Sequence, residues 1–383
     1  MWAARLGHPI SLLPLGNDSP QFRPAAQTGC IVTEKIIGFD GIRGLAVCMV
    51  IFAHLRVQEF FVWYGYLPQS TLPMFDGTAG VQAFFVLSGF LITLLLTREQ
   101  QRNNTISLRK FYMRRTLRIV PLYTLFLILV TVMHVTGQRV TTWTSLSFAY
   151  MYIYNFIPLE WYTRGLGHTW SLAVEEHFYL VWPLILSATL LTRRRLLITG
   201  VIVFVVTSLV LLHLLTGIEW LNQNFYIYRW SFTAGSNIAL GCLAALLLCE
   251  SERAEYWKKL FGHPVAPLIA LALYANSMYL GAEFEQLGSY LRGVGLMLMI
   301  AWVFLNQGNI LVRVLNIPPL RYLGLISYGL YIYQGFFLGV YYRHPDQTWP
   351  PDPVQGFILL VIVAPLSFHF FEKPFLRLKS RYS

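Results

Sequence analysis

Charge is what this chain has least of. Only 12% of its 383 residues are Asp, Glu, Lys or Arg, against about a quarter in soluble domains. Apolar residues make up 56%. Every polar stretch in the chain is short, so no separate soluble catalytic module is expected within it. Cysteine is sparse too, with only Cys30, Cys48, Cys242 and Cys249. No CxxC or Cys/His spacing occurs among them, so neither a disulfide framework nor a metal site is expected. There is no internal repeat, low-complexity tract or interdomain linker. Residues 1–35 carry Pro, Gly and Gln punctuation and no continuous apolar run. They do not read as a cleaved signal peptide. They are expected to form a loosely ordered cytoplasmic extension, ahead of a membrane domain over 36–378 and a cytoplasmic tail over 379–383.

Long apolar runs fill the rest. They centre on 44–62, 78–96, 116–136, 168–190, 196–215, 232–249, 265–282, 289–306, 321–342 and 354–371. Each is near the ~20 residues that a spanning helix needs. The expected fold is an all-α, polytopic membrane bundle of about ten transmembrane helices. With the N-terminus in the cytoplasm, 23 of the 29 Lys and Arg residues fall on the cytoplasmic side. That asymmetry fixes the orientation and puts both termini inside. It also explains the net charge of +11 without nucleic acid, because the basic residues sit in short loops between apolar runs. Aromatics make up 16%, and many lie at run ends, as interfacial belts do. Residues 142–158 are apolar but short, and counting them as a span would move Arg193–Arg195 outside. They read as an outer re-entrant or amphipathic segment, tolerable only where protein covers the irregular backbone.

Four clusters interrupt the apolar background. In Gly41–Leu55, Arg43 and His54 are 11 residues apart, which returns them to one helix face about 16 Å apart along the axis. Two ionisable groups on one face of a membrane helix suggest a wet interior lining. Anchoring by Arg43 and packing by His54 is the plainer alternative. In Gly80–Leu91, small residues permit close helix approach. Ser88 has no acid or histidine near it in sequence to make it a nucleophile. In Phe111–Pro121, Arg114 and Arg118 are one turn apart and stand beside Arg115. Topology anchoring accounts for part of that signal, and an Arg-rich helix entrance also suits bidentate phosphate binding.

The fourth cluster is Gly167–Tyr179. Ser171, Glu175 and Tyr179 share a face at i, i+4 and i+8, and Glu176 adds a second carboxylate. By the span count this end is external, at the depth of His54, so Glu175 and His54 are expected to converge as a general-base pair. Helical position does not choose between Glu175 and Glu176.

Taken together, FDGIRG…H at 39–54, VQAFFVLSGFL at 81–91, FYMRRTLRIVP at 111–121 and WSLAVEEHFYLVWP at 170–183 resemble the acyltransferase-3 family of integral membrane O-acyltransferases. Weaker matches follow at Arg229 with Gly235–Gly241, LGLISYGLYIYQ at 323–334 and FEKPFL at 371–376. The resemblance implies transfer of an acyl group, commonly acetyl, from acyl-CoA to a hydroxyl of a sugar, polysaccharide, glycolipid or glycosylated natural product. It implies no permanently bound cofactor, with acyl-CoA as co-substrate entering from the cytoplasmic face of a bacterial inner membrane. By motif position His54, Glu175 and Arg43 are expected to be catalytic. Arg114, Arg115 and Arg118 are expected on the donor, and Ser171, Glu176, Tyr179 and Arg229 on the acceptor.

The chain departs from the pattern at Gln82, where many relatives carry an acidic or amide residue, and at Gln334, where many carry histidine. The extra hydrolase-like C-terminal domain of some longer relatives is not expected here, and any second transfer step is then expected to need another protein. Direct transfer and an acyl-histidine both stay open. The rival reading is a secondary transporter with intramembrane substrate or proton sites. The absence of an inverted repeat or paired broken helices weighs against it.

Overall fold

The computed structural model describes residues 36–66, 77–138, 141–189, 194–280, 285–338, 349–379 and 382. The expected extension over 1–35 lies outside them, as does most of the tail. Among the described residues the fold is helical throughout, with one isolated bridge between Pro158 and Phe225.

Ten helices coincide with the expected runs: α1 (Phe39–His54), α2 (Gly77–Asn103), α3 (Leu108–Val135), α4 (Thr169–Thr189), α5 (Arg194–Thr216), α6 (Ser231–Cys249), α7 (Ala266–Tyr279), α8 (Glu285–Leu305), α9 (Ser327–Phe337) and α10 (Pro353–Leu366). Six stretches are long and apolar enough to cross a bilayer: Gly77–Asn103, Leu108–Val135, Arg194–Thr216, Ser231–Cys249, Gln286–Leu305 and Pro353–Leu378. The other four runs fall short for separate reasons. The helices α1, α7 and α9 have 16, 14 and 11 residues, below the ~20 needed for about 30 Å of hydrocarbon. The helix α4 has 21 residues but carries Glu175, Glu176 and His177. The run at 321–342 is broken at Ile326, between helix Pro318–Leu325 and α9.

Burial sorts centre from periphery. The apolar windows of α2 and α6 are each 72% buried, those of α3 and α5 33% and 22%. The peripheral helices are as apolar as the central ones, because their outer sides face lipid. The α2–α6 contact is the most extensive in the molecule. It works because Gly89 and Gly241 face each other's backbones: a Cβ on Gly89 would overlap the carbonyl oxygen of Ile238, and one on Gly241 that of Val86. Lipid is as apolar as leucine, so close packing of this kind, rather than escape from water, holds membrane helices together. Hydrogen bonds add to it. Trp182 Nε1 donates to Thr93 Oγ1 at 2.9 Å, Tyr328 OH to Ile119 O at 2.7 Å and Gln82 Nε2 to Ser289 Oγ at 2.6 Å.

Residues 142–158 form no span. Thr142 Oγ1 accepts from Ser145 N at 3.0 Å and caps a helix of only eight residues, Trp143–Tyr150. Single turns at Tyr154–Phe156, Leu159–Trp161 and Arg164–Leu166 come next. The Tyr154 hydroxyl bonds both Thr163 O at 2.7 Å and Thr163 N at 2.8 Å, which satisfies backbone that has no helix to do so. Cys48 and Cys242 are free thiols.

Candidate active site

Two cavities lie end to end along the bundle. The first, of about 80 Å³, is lined by Arg43 of α1, Ser88 of α2, Arg115 and Arg118 of α3 and Glu175 of α4, with Phe84, Phe85 and Leu172 as apolar walls. The second, of about 470 Å³, is lined by His54, Trp170, Tyr226, Tyr228 and Arg229. Val81 and Tyr331 line both and form the wall between them. Four helices serve both cavities in register. Along α1 the order is Arg43, then His54; along α2, Gly77 and Val81, then Ser88; along α4, Trp170, then Glu175; along α9, Ser327, then Tyr331 and Gly335.

In the arginine cavity, polar groups interlock. Ser88 Oγ donates to Glu175 Oε1 at 3.0 Å, and the Tyr179 hydroxyl lies 3.1 Å from Glu175 Oε2 and 3.2 Å from Ser88 Oγ. The Arg115 guanidinium sits over the Tyr179 ring, 5.0 Å from its centroid, within range of a cation–π contact. Arg43 keeps Asp40 of its own first turn at 3.4 Å. Higher up, Ser171 Oγ and Tyr331 OH are 2.6 Å apart, and both reach the carbonyl of His168 at 3.1 Å. The start of α1 is pressed onto the segment before α9, where a Cβ on Gly41 would overlap Leu315 O. That contact holds the backbone beneath Arg43.

The second cavity is built from rings. The Arg229 guanidinium lies 4.0 Å from the Tyr226 centroid, 5.2 Å from Tyr228, 5.3 Å from Tyr162 and 5.6 Å from Trp170. Its Nε also donates to Tyr228 OH at 3.1 Å. Burial raises the Tyr228 phenol above its ordinary range, against the pull of Arg229, so it stays protonated and able to donate a hydrogen bond. His54 Nδ1 is 2.8 Å from Val50 O. A proton on Nδ1 makes that contact a hydrogen bond and leaves Nε2 as the basic nitrogen.

The expected residues are thus divided between two places. Arg43, Arg115, Arg118, Ser171, Glu175 and Tyr179 share the first cavity, and His54 and Arg229 the second. The expected pairing of Glu175 with His54 does not form. Glu175 is six residues into α4, about 9 Å below its start, whereas His54 ends α1. The hydrogen bonds of Glu175 go to Ser88 and Tyr179 instead. Arg114 turns away, donating to Tyr382 O at 2.7 Å with Glu99 at 3.7 Å. Glu176 is not among the residues lining either cavity, and its Oε1 is buried without a hydrogen-bond partner. Gln82 is taken up by Ser289, and Gln334 is fully buried with neither amide atom hydrogen-bonded. The acid beside Ser88 was missed because it comes from another helix, 87 residues away. Among the described residues no group of three or more His, Cys, Asp or Glu side chains could hold a metal.

Known proteins resemble the chain along most of this length. A family model described as an acyltransferase domain matches residues 36–371. A Staphylococcus aureus (strain COL) protein with a provisional O-acetyltransferase name is 28% identical over 366 residues, covering 89% of this chain and 57% of that relative. O-acetyltransferase OatA of Staphylococcus aureus (strain NCTC 8325 / PS 47) is 27% identical over 371 residues, 88% of this chain and 56% of its own length. The chain therefore spans little more than half the length of these relatives. No solved structure matches it.

Proposed function

The chain belongs to the acyltransferase family that this match defines, and we propose that it is an integral membrane O-acyltransferase of the bacterial inner membrane. In this reading it moves an acyl group, acetyl first of all, from acyl-CoA to a hydroxyl of a polysaccharide or other carbohydrate-containing acceptor. The O-acetyltransferase names of the relatives support the chemistry. The observation that carries the reading is the pair of abutting cavities, one rich in arginine and one in aromatic rings. The basic residues of α3 come after the loop that the charge count assigns to the cytoplasm, where acyl-CoA is made. All ten runs would cross the bilayer, α1, α7 and α9 aided by flanking segments. The first cavity has room for a short acyl group. The second falls within the ~300–1,000 Å³ range of small-molecule sites, and its rings and phenols suit a sugar.

The roles reflect that division. Arg43, Arg115 and Arg118 hold the donor and stabilise the oxyanion that forms as the thioester carbonyl is attacked. Arg229, Trp170 and Tyr228 receive the acceptor, and neutral His54 takes its hydroxyl proton. The test is release of CoA thiol by the purified protein from acetyl-CoA, dependent on a carbohydrate acceptor. Thiol release that no acceptor stimulates would refute the reading.

Replacing Arg115 or Arg118 by Ala should weaken acyl-CoA binding. Lys should restore it only in part, because it keeps the charge but loses the planar fork. Titration calorimetry in detergent measures this, and an unchanged affinity in both Ala variants would leave these arginines as topology anchors.

A further inference from the structure

We propose that Ser88 is an acyl carrier, esterified by the donor before the acceptor reacts. The inference rests on the acyl-CoA reading above and extends it to a covalent step. Three observations lead to it. Ser88 Oγ already donates to a carboxylate oxygen, Glu175 Oε1, at 3.0 Å. The Tyr179 hydroxyl, 3.1 Å from the other oxygen of Glu175 and 3.2 Å from Ser88 Oγ, holds both. A nucleophile bonded to its base, and the base bonded to an orienting group, is the arrangement that activates a hydroxyl. Arg43, Arg115 and Arg118 line the same cavity, where an oxyanion needs positive charge.

The third observation is the wall of Val81 and Tyr331. Ser88 lies two turns from Val81 on α2, about 10 Å along the axis. The cavity holding Ser88, at about 80 Å³, has room for an acyl group but not for the thioester arm of CoA and a sugar at once. Direct transfer would need both substrates at one point. A carrier removes that demand, because CoA leaves before the acceptor advances. His54 is a poorer carrier, since it lines the other cavity, away from the three arginines and Glu175.

The steps balance without any further reagent. Ser88 Oγ bonds to the thioester carbonyl carbon, the C–S bond breaks, and the Oγ proton passes through Glu175 to the departing sulfur. The products are acyl-Ser88 and CoA thiol. The acceptor hydroxyl oxygen then bonds to the ester carbon as His54 takes its proton, the Oγ–acyl bond breaks, and the proton is passed on from His54 to Oγ.

The experiment incubates the purified full chain with radiolabelled acetyl-CoA and no acceptor, denatures it and maps the label by peptide mass spectrometry. The expected result is one acyl group on the peptide holding Ser88, discharged when acceptor is added before denaturation. Ser88→Ala should bind acyl-CoA yet carry no label, and lose at least ~100-fold in transfer. Ser88→Cys should carry a thioester, cleaved by neutral hydroxylamine far faster than the serine ester. Those two chemistries identify the site even if Ser88→Ala fails to fold. Label on another residue, or transfer by Ser88→Ala near the normal rate, overturns the carrier role and leaves the transferase reading standing. No acceptor-dependent thiol release in the unmodified protein would remove both.

Discussion

His54→Ala should lose at least ~100-fold in acyl transfer to the acceptor, the low end of what a positioned base contributes, while still binding acyl-CoA. The separation of the two cavities makes this sharper than a simple loss of activity. Glu175 lies with the arginines and Ser88, so Glu175→Gln should slow CoA release even without acceptor. It keeps the shape of the side chain but loses the charge that draws the Ser88 proton. His54→Ala should leave that first release intact and block only the transfer to the acceptor. Rapid-quench measurement of CoA thiol and of acylated acceptor, on the same samples, separates the two. Glu176→Gln should do less than either, because Glu176 is absent from the lining of both cavities. If His54→Ala transfers at near-normal rate with donor and acceptor saturating, the histidine is a packing residue and another group takes the proton.

Replacing Gly89 or Gly241 by Leu should prevent the bundle from assembling. At each glycine the atom in the way is a backbone carbonyl oxygen of the facing helix, which cannot turn aside as a side chain can. Overpacking a close-packed interior costs about 1–3 kcal/mol even where side chains can shift. Here whole helices must part, and the cost falls on the most extensive contact in the molecule. Gly89→Ala should lower the thermal midpoint in detergent measurably, and Gly89→Leu should remove the monodisperse peak on size exclusion. Gly200→Leu is the control, since a Cβ there meets nothing within 4 Å. Equal behaviour of Gly89→Leu and Gly200→Leu would contradict the packing argument.

Much of this was legible in the sequence. Each apolar run holds a helix, and six are long and apolar enough to cross a bilayer, because in lipid a run of apolar residues has few structures open to it. Helix ends and breaks were harder. Nothing in 321–342 announced the interruption at Ile326, which tertiary packing of Pro318–Leu325 onto α1 imposes. At the site, helical spacing brought Ser171, Glu175 and Tyr179 to one face, and all three line one cavity. The same spacing put Arg43 and His54 on one side of α1, and each reaches a cavity. What spacing within a helix cannot supply is the depth of one helix against another. The Glu175–His54 pair rested on such a depth and did not form. The Ser88–Glu175 pair depends on it too and could not be seen.

The wall shared by the two cavities has an electrical side. Elsewhere the membrane potential falls gradually through about 30 Å of hydrocarbon. Were each cavity to open to one face, as the proposed orientation has it, most of the drop would fall across the Val81 and Tyr331 that line both. A unit charge that crosses the whole drop exchanges about 2.3 kcal/mol per 100 mV. An acyl group passing that point as an uncharged ester or thioester exchanges none of it, and CoA, with its charged phosphates, never needs to enter the field.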